Sequence, residues 1–274
     1  MFPYVEFLGQ RVYAYPIFGI LAVFVASIVV YSRFKRCGLL YFDVLLGIVV
    51  LGVGLLIGGI AMFAITRMPV LWEHRERFAD APILFLQAAF GGMVFYGGLF
   101  GVVAALLVYS RVIKRPVPDI VRLVVPVFPL AHGIMRVGCF MAGCCYGVAH
   151  DWGIAFARSP VAPNGVPLLP VQLYEAMANM MIFAIVWVYT RAERQPLVII
   201  GIYGICYSVV RFFLEYLRGD YARGFVWGVA TSQLISVVVF VASIGALICG
   251  ARMNNSILNI AKTKDDSTNH NNQY

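Results

Sequence analysis

One short run, HGIMRVGCFMAGCCYG from His132 to Gly147, brings three cysteines close to an arginine among several glycines. A thiol beside a guanidinium ionises more readily, and the thiolate is the form that attacks carbon or binds metal. Arg136 with Cys139, Cys144 and Cys145 is therefore the first place where chemistry is expected. Structural zinc sites pair two cysteines at short spacing with a second pair elsewhere. Here Cys139 precedes the adjacent Cys144 and Cys145 with no second pair, and only His132 or His150 is near to help, so no metal is expected. A disulfide from Cys139 to either neighbour, a thiolate activated by Arg136 and plain packing against a tight glycine turn all remain open.

A second group lies in GIYGICYSVVRFFLEYLRGD, where Tyr207, Arg211 and Glu215 are spaced four residues apart and share one helical face, with Arg218 following. An arginine in the middle of an apolar run is costly. It either forms an internal pair with Glu215 or faces a wet cavity, where its planar fork suits a phosphate. Upstream, PVQLYEA supplies Gln172 and Glu175, and GGMVFYGGLFG (Gly91–Gly101) sets Tyr96 before Gly97 and Gly98. Such glycines permit close backbone approach to a substrate, or simply pack helices.

These residues need elements to hold them, and composition says where. Of 274 residues, 61% are hydrophobic and 12% charged, against roughly 45–50% and about 25% in soluble domains. The excess apolar surface must meet lipid. Crossing about 30 Å of hydrocarbon takes roughly 20 apolar residues, and seven stretches qualify: Tyr15–Tyr31, Phe42–Thr66, Ile83–Ser110, Val117–Met135, Leu173–Tyr189, Leu197–Glu215 and Phe225–Gly250. They are too long and too uniformly apolar for barrel strands. The fold expected is all-α, a polytopic membrane protein of about seven helices.

Basic residues concentrate in loops that stay in the cytoplasm. Arg33, Lys35 and Arg36 mark the first loop, Arg111, Lys114 and Arg115 the third, and Arg191 and Arg194 the fifth, while Glu73, Arg75, Glu76, Arg77 and Asp80 mix signs in the second. That pattern puts the N-terminus outside and the C-terminus inside. It also accounts for the net charge of +8 without a nucleic-acid partner. The expected division is a periplasmic segment (1–14) with no cleavable leader, a helical domain (15–250) and a polar, disordered cytoplasmic tail (251–274). Cys206 and Cys249 fall in apolar spans as packing residues, and Cys37 falls in a cytoplasmic loop.

Four motifs in order resemble the prolipoprotein diacylglyceryl transferase family. GGMVFYGGLFGV is similar to its GG-x-S-F-H-G-G-L-x-G segment, MRVGCFMAGCCYG to its signature G-R-x-G-N-F-x-N-x-E-x-x-G, and LLPVQLYEA to H-P-S-Q-L-Y-E-A. YSVVRFFLEYLR resembles its F-R-x-x-x-E-x-x-R block, and TSQLIS the start of its last helix. The resemblance implies a multi-pass enzyme of the bacterial inner membrane. Such an enzyme transfers the diacylglyceryl group of phosphatidylglycerol to the lipobox cysteine of a prolipoprotein signal peptide. A thioether forms, glycerol phosphate leaves, and no metal or dissociable cofactor is implied.

Carried over by position, the resemblance makes Tyr96, Arg136, Cys139 and Arg211 catalytic positions. It makes Gly97, Gly98, Gly147, Gln172, Tyr207, Glu215 and Arg218 substrate-binding. Arg136 and Arg211 would hold the phosphate, with Gln172 and Glu215 orienting them. The chain departs from the family where Tyr96 replaces a histidine, Cys139 an asparagine, Cys144 a glutamate, Phe18 a tyrosine and Leu169 a histidine. The alternatives are a paralogue with another acceptor, or a membrane protein that binds phospholipid without turning it over.

Overall fold

The computed structural model describes residues 3–271 apart from 8–9, 34–39, 74–75, 77–81, 91–93, 193, 221–224 and 227. Cys37 lies outside the described residues. Among the described residues the apolar stretches are mostly helical, as composition predicts. Among the described residues six helical runs are long and apolar enough to cross a membrane: Ala14–Arg33, Tyr41–Glu73, Val117–Ala142, Val171–Tyr189, Pro196–Leu217 and Thr231–Met253.

The helices are α1 (Ala14–Arg33), α2 (Tyr41–Glu73), α3 (Pro82–Phe90), α4 (Phe95–Val112), α5 (Val117–Val124), α6 (Phe128–Ala142), α7 (Val171–Tyr189), α8 (Pro196–Leu214) and α9 (Thr231–Asn271). The third expected span, Ile83–Ser110, is thus two helices, α3 and α4. The fourth is divided into α5 and α6 by a 3-10 turn at Val125–Val127. Pro126 and Pro129 lack the amide hydrogens that an uninterrupted α-helix would use there. The last span starts later than its hydropathy suggests, because β5 (Phe225–Val226) and β6 (Val229–Ala230) first form a hairpin that turns on Gly228 at φ 77°. At its other end α9 runs on to Asn271, although the polarity of that stretch predicts disorder; adding residues to an existing helix is easier than nucleating one.

The side-chain distribution is the reverse of a soluble protein's. Phe24, Phe42, Ile57, Ile83 and Val238 are exposed, whereas Gln172, Glu175, Asn179, Ser208 and Glu215 are buried. Apolar groups outside and polar groups inside suit a hydrocarbon solvent, where each polar group must find a partner within the protein.

The chain forms two compact units. In the unit of residues 31–120, α2 packs along α4. A Cβ added at Gly54 or Gly58 would run into Gly101, and one added at Gly97 would run into Gly58 and Met62. Four glycines thus let two backbones touch, which is how helices associate without a hydrophobic driving force. The Tyr109 hydroxyl donates to the Asp43 carbonyl and ties the other end of this pair.

The second unit comprises residues 1–30 and 121–274. Here α6 packs on α7, α7 on α8 and α8 on α9. Ile182, Val186 and Ile199 form the apolar seam between α7 and α8, joined by Tyr203 and Tyr207. Strands β1 (Tyr4–Phe7) and β2 (Gln10–Tyr13) pair ahead of α1, and β3 (Ala149–Ala155) pairs with β4 (Pro167–Leu168) between α6 and α7. Phe156 is buried with Ala162 and Leu168 and packs on Phe140, so this β-arm is fastened to the end of α6.

Candidate active site

Gly133 allows α6 to approach α7 closely, since a Cβ there would strike Met180 and the Ala176 carbonyl. One turn later Arg136 therefore meets Glu175, with Nη2 3.1 Å from Oε1. Glu175 is 2% exposed and collects the neighbouring polar groups. Arg211 Nη1 lies 3.9 Å from its Oε2, His132 Nε2 3.8 Å from its Oε1, and the Tyr207 hydroxyl donates to Oε1 at 3.4 Å. Arg211 also pairs with Glu215 at 2.9 Å, as their four-residue spacing predicts. Tyr207 stacks against Tyr203 and tilts against His132, with ring centroids 6.0 and 5.2 Å apart, which fixes both rings beside the carboxylate.

Arg211 is therefore ion-paired, as the first reading expects, and one of its donors is left over. Two basic atoms in this cluster are buried without a hydrogen-bond partner among the described residues, Arg136 Nε and Arg211 Nη1. Gln172 Oε1 and His132 Nδ1 are unpartnered in the same way. Leaving a buried donor unpaired costs about 1–3 kcal/mol. An anion that accepts from both guanidiniums would recover that cost.

The cysteine loop adjoins this cluster. Helix α6 ends in Gly143 at φ 74°, with the Cys144 amide donating back to the Cys139 carbonyl at 3.1 Å. This is a Schellman-type termination that favours glycine. Cys145 is also left-handed, at φ 59°, which is uncommon for a residue with a Cβ. The two turns fold the loop back so that the sulfurs of Cys139, Cys144 and Cys145 all lie within 4.8 Å of one another. All three are free thiols. Arg136 Nη1 reaches toward two of them, 3.8 Å from Cys145 Sγ and 4.0 Å from Cys139 Sγ. Gln172 Nε2 donates to the Cys144 carbonyl at 2.7 Å and pins the loop to α7.

The loop is held from the other side as well. Gly147 pairs with Arg218 as an isolated β-bridge, and the Gly219 amide donates to the Tyr146 carbonyl at 3.0 Å. A Cβ at Gly147 would meet the Leu169 carbonyl and Val171, so close backbone approach is its function here. Arg218 forks onto Asp220 at 2.7 and 3.0 Å. Burial opposes its charge, but the Asp220 hydrogen bond and nearby Cys145 raise its pKa above the usual value. Hydrogen bonds from Cys139 and Cys144 lower the pKa of the Cys145 thiol, with Arg218 and Arg136 assisting against burial. Hydrogen bonds with Cys139 and Cys145, together with burial, raise that of Cys144.

Of the residues singled out by sequence, Arg136, Arg211, Tyr207 and Glu215 converge around Glu175. Cys139, Gly147, Gln172 and Arg218 build the adjoining loop. Phe18 lies against Gly138 in the same unit. Tyr96, Gly97 and Gly98 belong to the other unit. Tyr96 is in the first turn of α4 and its side chain is outside the described residues, while Gly97 and Gly98 lie against α2.

Sequence reasoning missed Glu175 as the hub. Its signal was the i, i+3 spacing from Gln172, which puts both side chains on the face of α7 that meets α6. It also missed His132 as a partner of Glu175 rather than of the cysteines. Tyr15, in the first turn of α1, went unnoticed although it lies within electrostatic reach of Arg136 and all three cysteines.

Comparison with known proteins yields a consistent set. Residues 3–249 match the family model described as prolipoprotein diacylglyceryl transferase. A phosphatidylglycerol–prolipoprotein diacylglyceryl transferase of Clostridium tetani is 31% identical over 243 residues, 87% of this chain and 93% of that protein. The Clostridium perfringens transferase numbered 2 is 29% identical over 241 residues, covering 87% and 91%. A Pseudoalteromonas atlantica transferase is 31% identical over 194 residues, covering 68% of each chain.

Proposed function

The chain belongs to the prolipoprotein diacylglyceryl transferase family, and from that membership we infer that it moves the diacylglyceryl group of phosphatidylglycerol onto a prolipoprotein cysteine in the bacterial inner membrane. The observation that carries the site assignment is the meeting of Arg136 and Arg211 at Glu175, each with a buried donor unused.

The chemistry asks for such an arrangement. Displacement at the glyceryl carbon turns a phosphodiester monoanion into a glycerol phosphate dianion, so negative charge grows on the leaving group. Preorganised guanidiniums stabilise that growth because they need not reorient as it happens. Glu175 and Glu215 hold the two arginines in position and balance their charge while no lipid is bound. Tyr207 and His132 brace Glu175 in turn. Arg218, engaged by Asp220 and bridged to Gly147, keeps the cysteine loop against the end of α8.

The test is direct. Purified protein in lipid nanodiscs, given labelled phosphatidylglycerol and a lipobox peptide, is expected to yield thioether-linked peptide and glycerol phosphate. Arg211→Ala should lower turnover by about 10²–10³, the scale for losing one preorganised donor of a developing anion. Lipid binding by the wild-type protein without either product would favour the non-catalytic reading. Absence of both binding and product would overturn the assignment.

A further inference from the structure

Transfer to a thiol places a demand that the arginine cluster does not meet. The acceptor sulfur must lose its proton before it can attack carbon. The family's histidine position is occupied by Tyr96 in this chain, and an unperturbed tyrosine, with a pKa near 10, is a poor base at neutral pH.

The cysteine loop offers another way to make a thiolate. We propose that Cys139, Cys144 and Cys145 bind one zinc ion whose fourth position takes the sulfur of the acceptor cysteine. The proposal rests on the transferase reading for the identity of that fourth ligand.

Geometry supports it first. The three sulfurs lie within 4.8 Å of one another. A Zn–S bond of about 2.3 Å puts ligands about 3.8 Å apart in a tetrahedron, so small side-chain rotations close the site. Its backbone is already bent into shape, with Gly143 and Cys145 both left-handed and the Cys144 carbonyl held by Gln172. A left-handed non-glycine residue is strained, and such residues cluster at functional sites. Here it aims the third sulfur at the other two.

The ligand count supports it as well. The lack of a second cysteine pair argues against structural zinc, which uses four protein ligands. Catalytic zinc uses three and leaves one position open. Neither His132 nor His150 joins the three sulfurs among the described residues, since His132 faces Glu175 and His150 lies against Trp152. A soft all-sulfur set selects zinc or monovalent copper over magnesium or calcium. Zinc is favoured because it readily accepts a fourth ligand and brings no redox chemistry.

The surroundings complete the case. Three thiolates on zinc carry a net negative charge, and Arg136 Nη1 lies 3.8 and 4.0 Å from two of the sulfurs. Such donors beyond the ligands orient and tune metal sites. Because Arg136 also faces the proposed phosphate site, one guanidinium links nucleophile and leaving group.

The step balances. The acceptor S–H gives its proton to water on coordination, since a metal-bound thiol is deprotonated outright. Its sulfur attacks the glyceryl methylene and forms the S–C bond. The C–O bond breaks, and its electron pair leaves with glycerol phosphate. The thioether product carries no charge, binds zinc weakly and leaves the position open.

The experiment uses full-length protein, reduced, stripped of metal with a chelator and titrated with cadmium as an optical probe. A thiolate-to-cadmium charge-transfer band saturating at one ion per chain is expected. Cys139→Ser, Cys144→Ser and Cys145→Ser should each lose it, whereas Cys206→Ser should keep it. Because a serine variant can misfold, zinc protection of the three wild-type thiols from alkylation, read by mass spectrometry, is measured in parallel and should be complete. No band and no protection would overturn the site.

Turnover is then assayed on the same metal-free protein. Loss of activity restored by zinc supports the catalytic role. Full activity without metal overturns that role and leaves the transferase reading standing. Metal binding with no turnover under any condition overturns the transferase reading, and with it the acceptor as fourth ligand, while the three-cysteine site stands.

Discussion

Glu175 shows how one buried carboxylate can organise a site. It lies within ion-pair distance of Arg136 and Arg211 and accepts from Tyr207. Removing one partner of a buried pair leaves the other charge uncompensated, at about 3–5 kcal/mol. Glu175→Ala is therefore expected to lower the thermal midpoint markedly and to abolish transfer. Glu175→Gln keeps the shape but not the charge, so it should recover part of the stability and little of the turnover. A melting curve and an activity assay on both variants check this. Equal activity in Glu175→Gln and wild type would show that the carboxylate only fills space.

At the scale of elements, the end of α6 decides whether the cysteine loop forms. Gly143 is left-handed, and a Cβ there would also strike the Ser159 side chain. Gly143→Ala should destabilise the protein by roughly 1–2 kcal/mol through the left-handed backbone alone, and by more through the contact. The expected result is a lower midpoint together with faster alkylation of Cys139, Cys144 and Cys145, because the Schellman-type bond that closes the loop is lost. Unchanged alkylation would mean that Gln172 and the Gly147 bridge suffice to hold the loop.

At the scale of the whole molecule, the basic loops set the expected orientation. Arg33, Arg111, Arg115, Arg191 and Arg194 fall at helix ends assigned to the cytoplasm. A folding-dependent fluorescent reporter fused after residue 271 should fluoresce inside the cell. An exported phosphatase fused there should stay inactive, and the same phosphatase fused at the N-terminus behind its own export signal should be active. The opposite pattern would reverse the orientation, and would place the cysteine loop on the cytoplasmic side.

Much of this protein is determined by its sequence alone. Long apolar stretches require helices in lipid whatever their neighbours are, because the backbone must satisfy itself there. Hence the all-α membrane class, most span positions and the Arg211–Glu215 pair, which are local properties, are readable without coordinates. The four motifs identify the family for the same reason, since each is a contiguous stretch.

Only the tertiary structure could show that Glu175 stands between two arginines from different helices, because that depends on Gly133 letting α6 approach α7. Only it could bring three sulfurs of one loop together, since two left-handed residues and a hydrogen bond from Gln172, 28 residues downstream of Cys144, shape the loop. It also divided the third expected span into α3 and α4 ahead of the extended Val94, a break that apolarity alone does not show although the glycine-rich run lies there. Local sequence reports what each segment can be, and packing between segments decides which side chains meet.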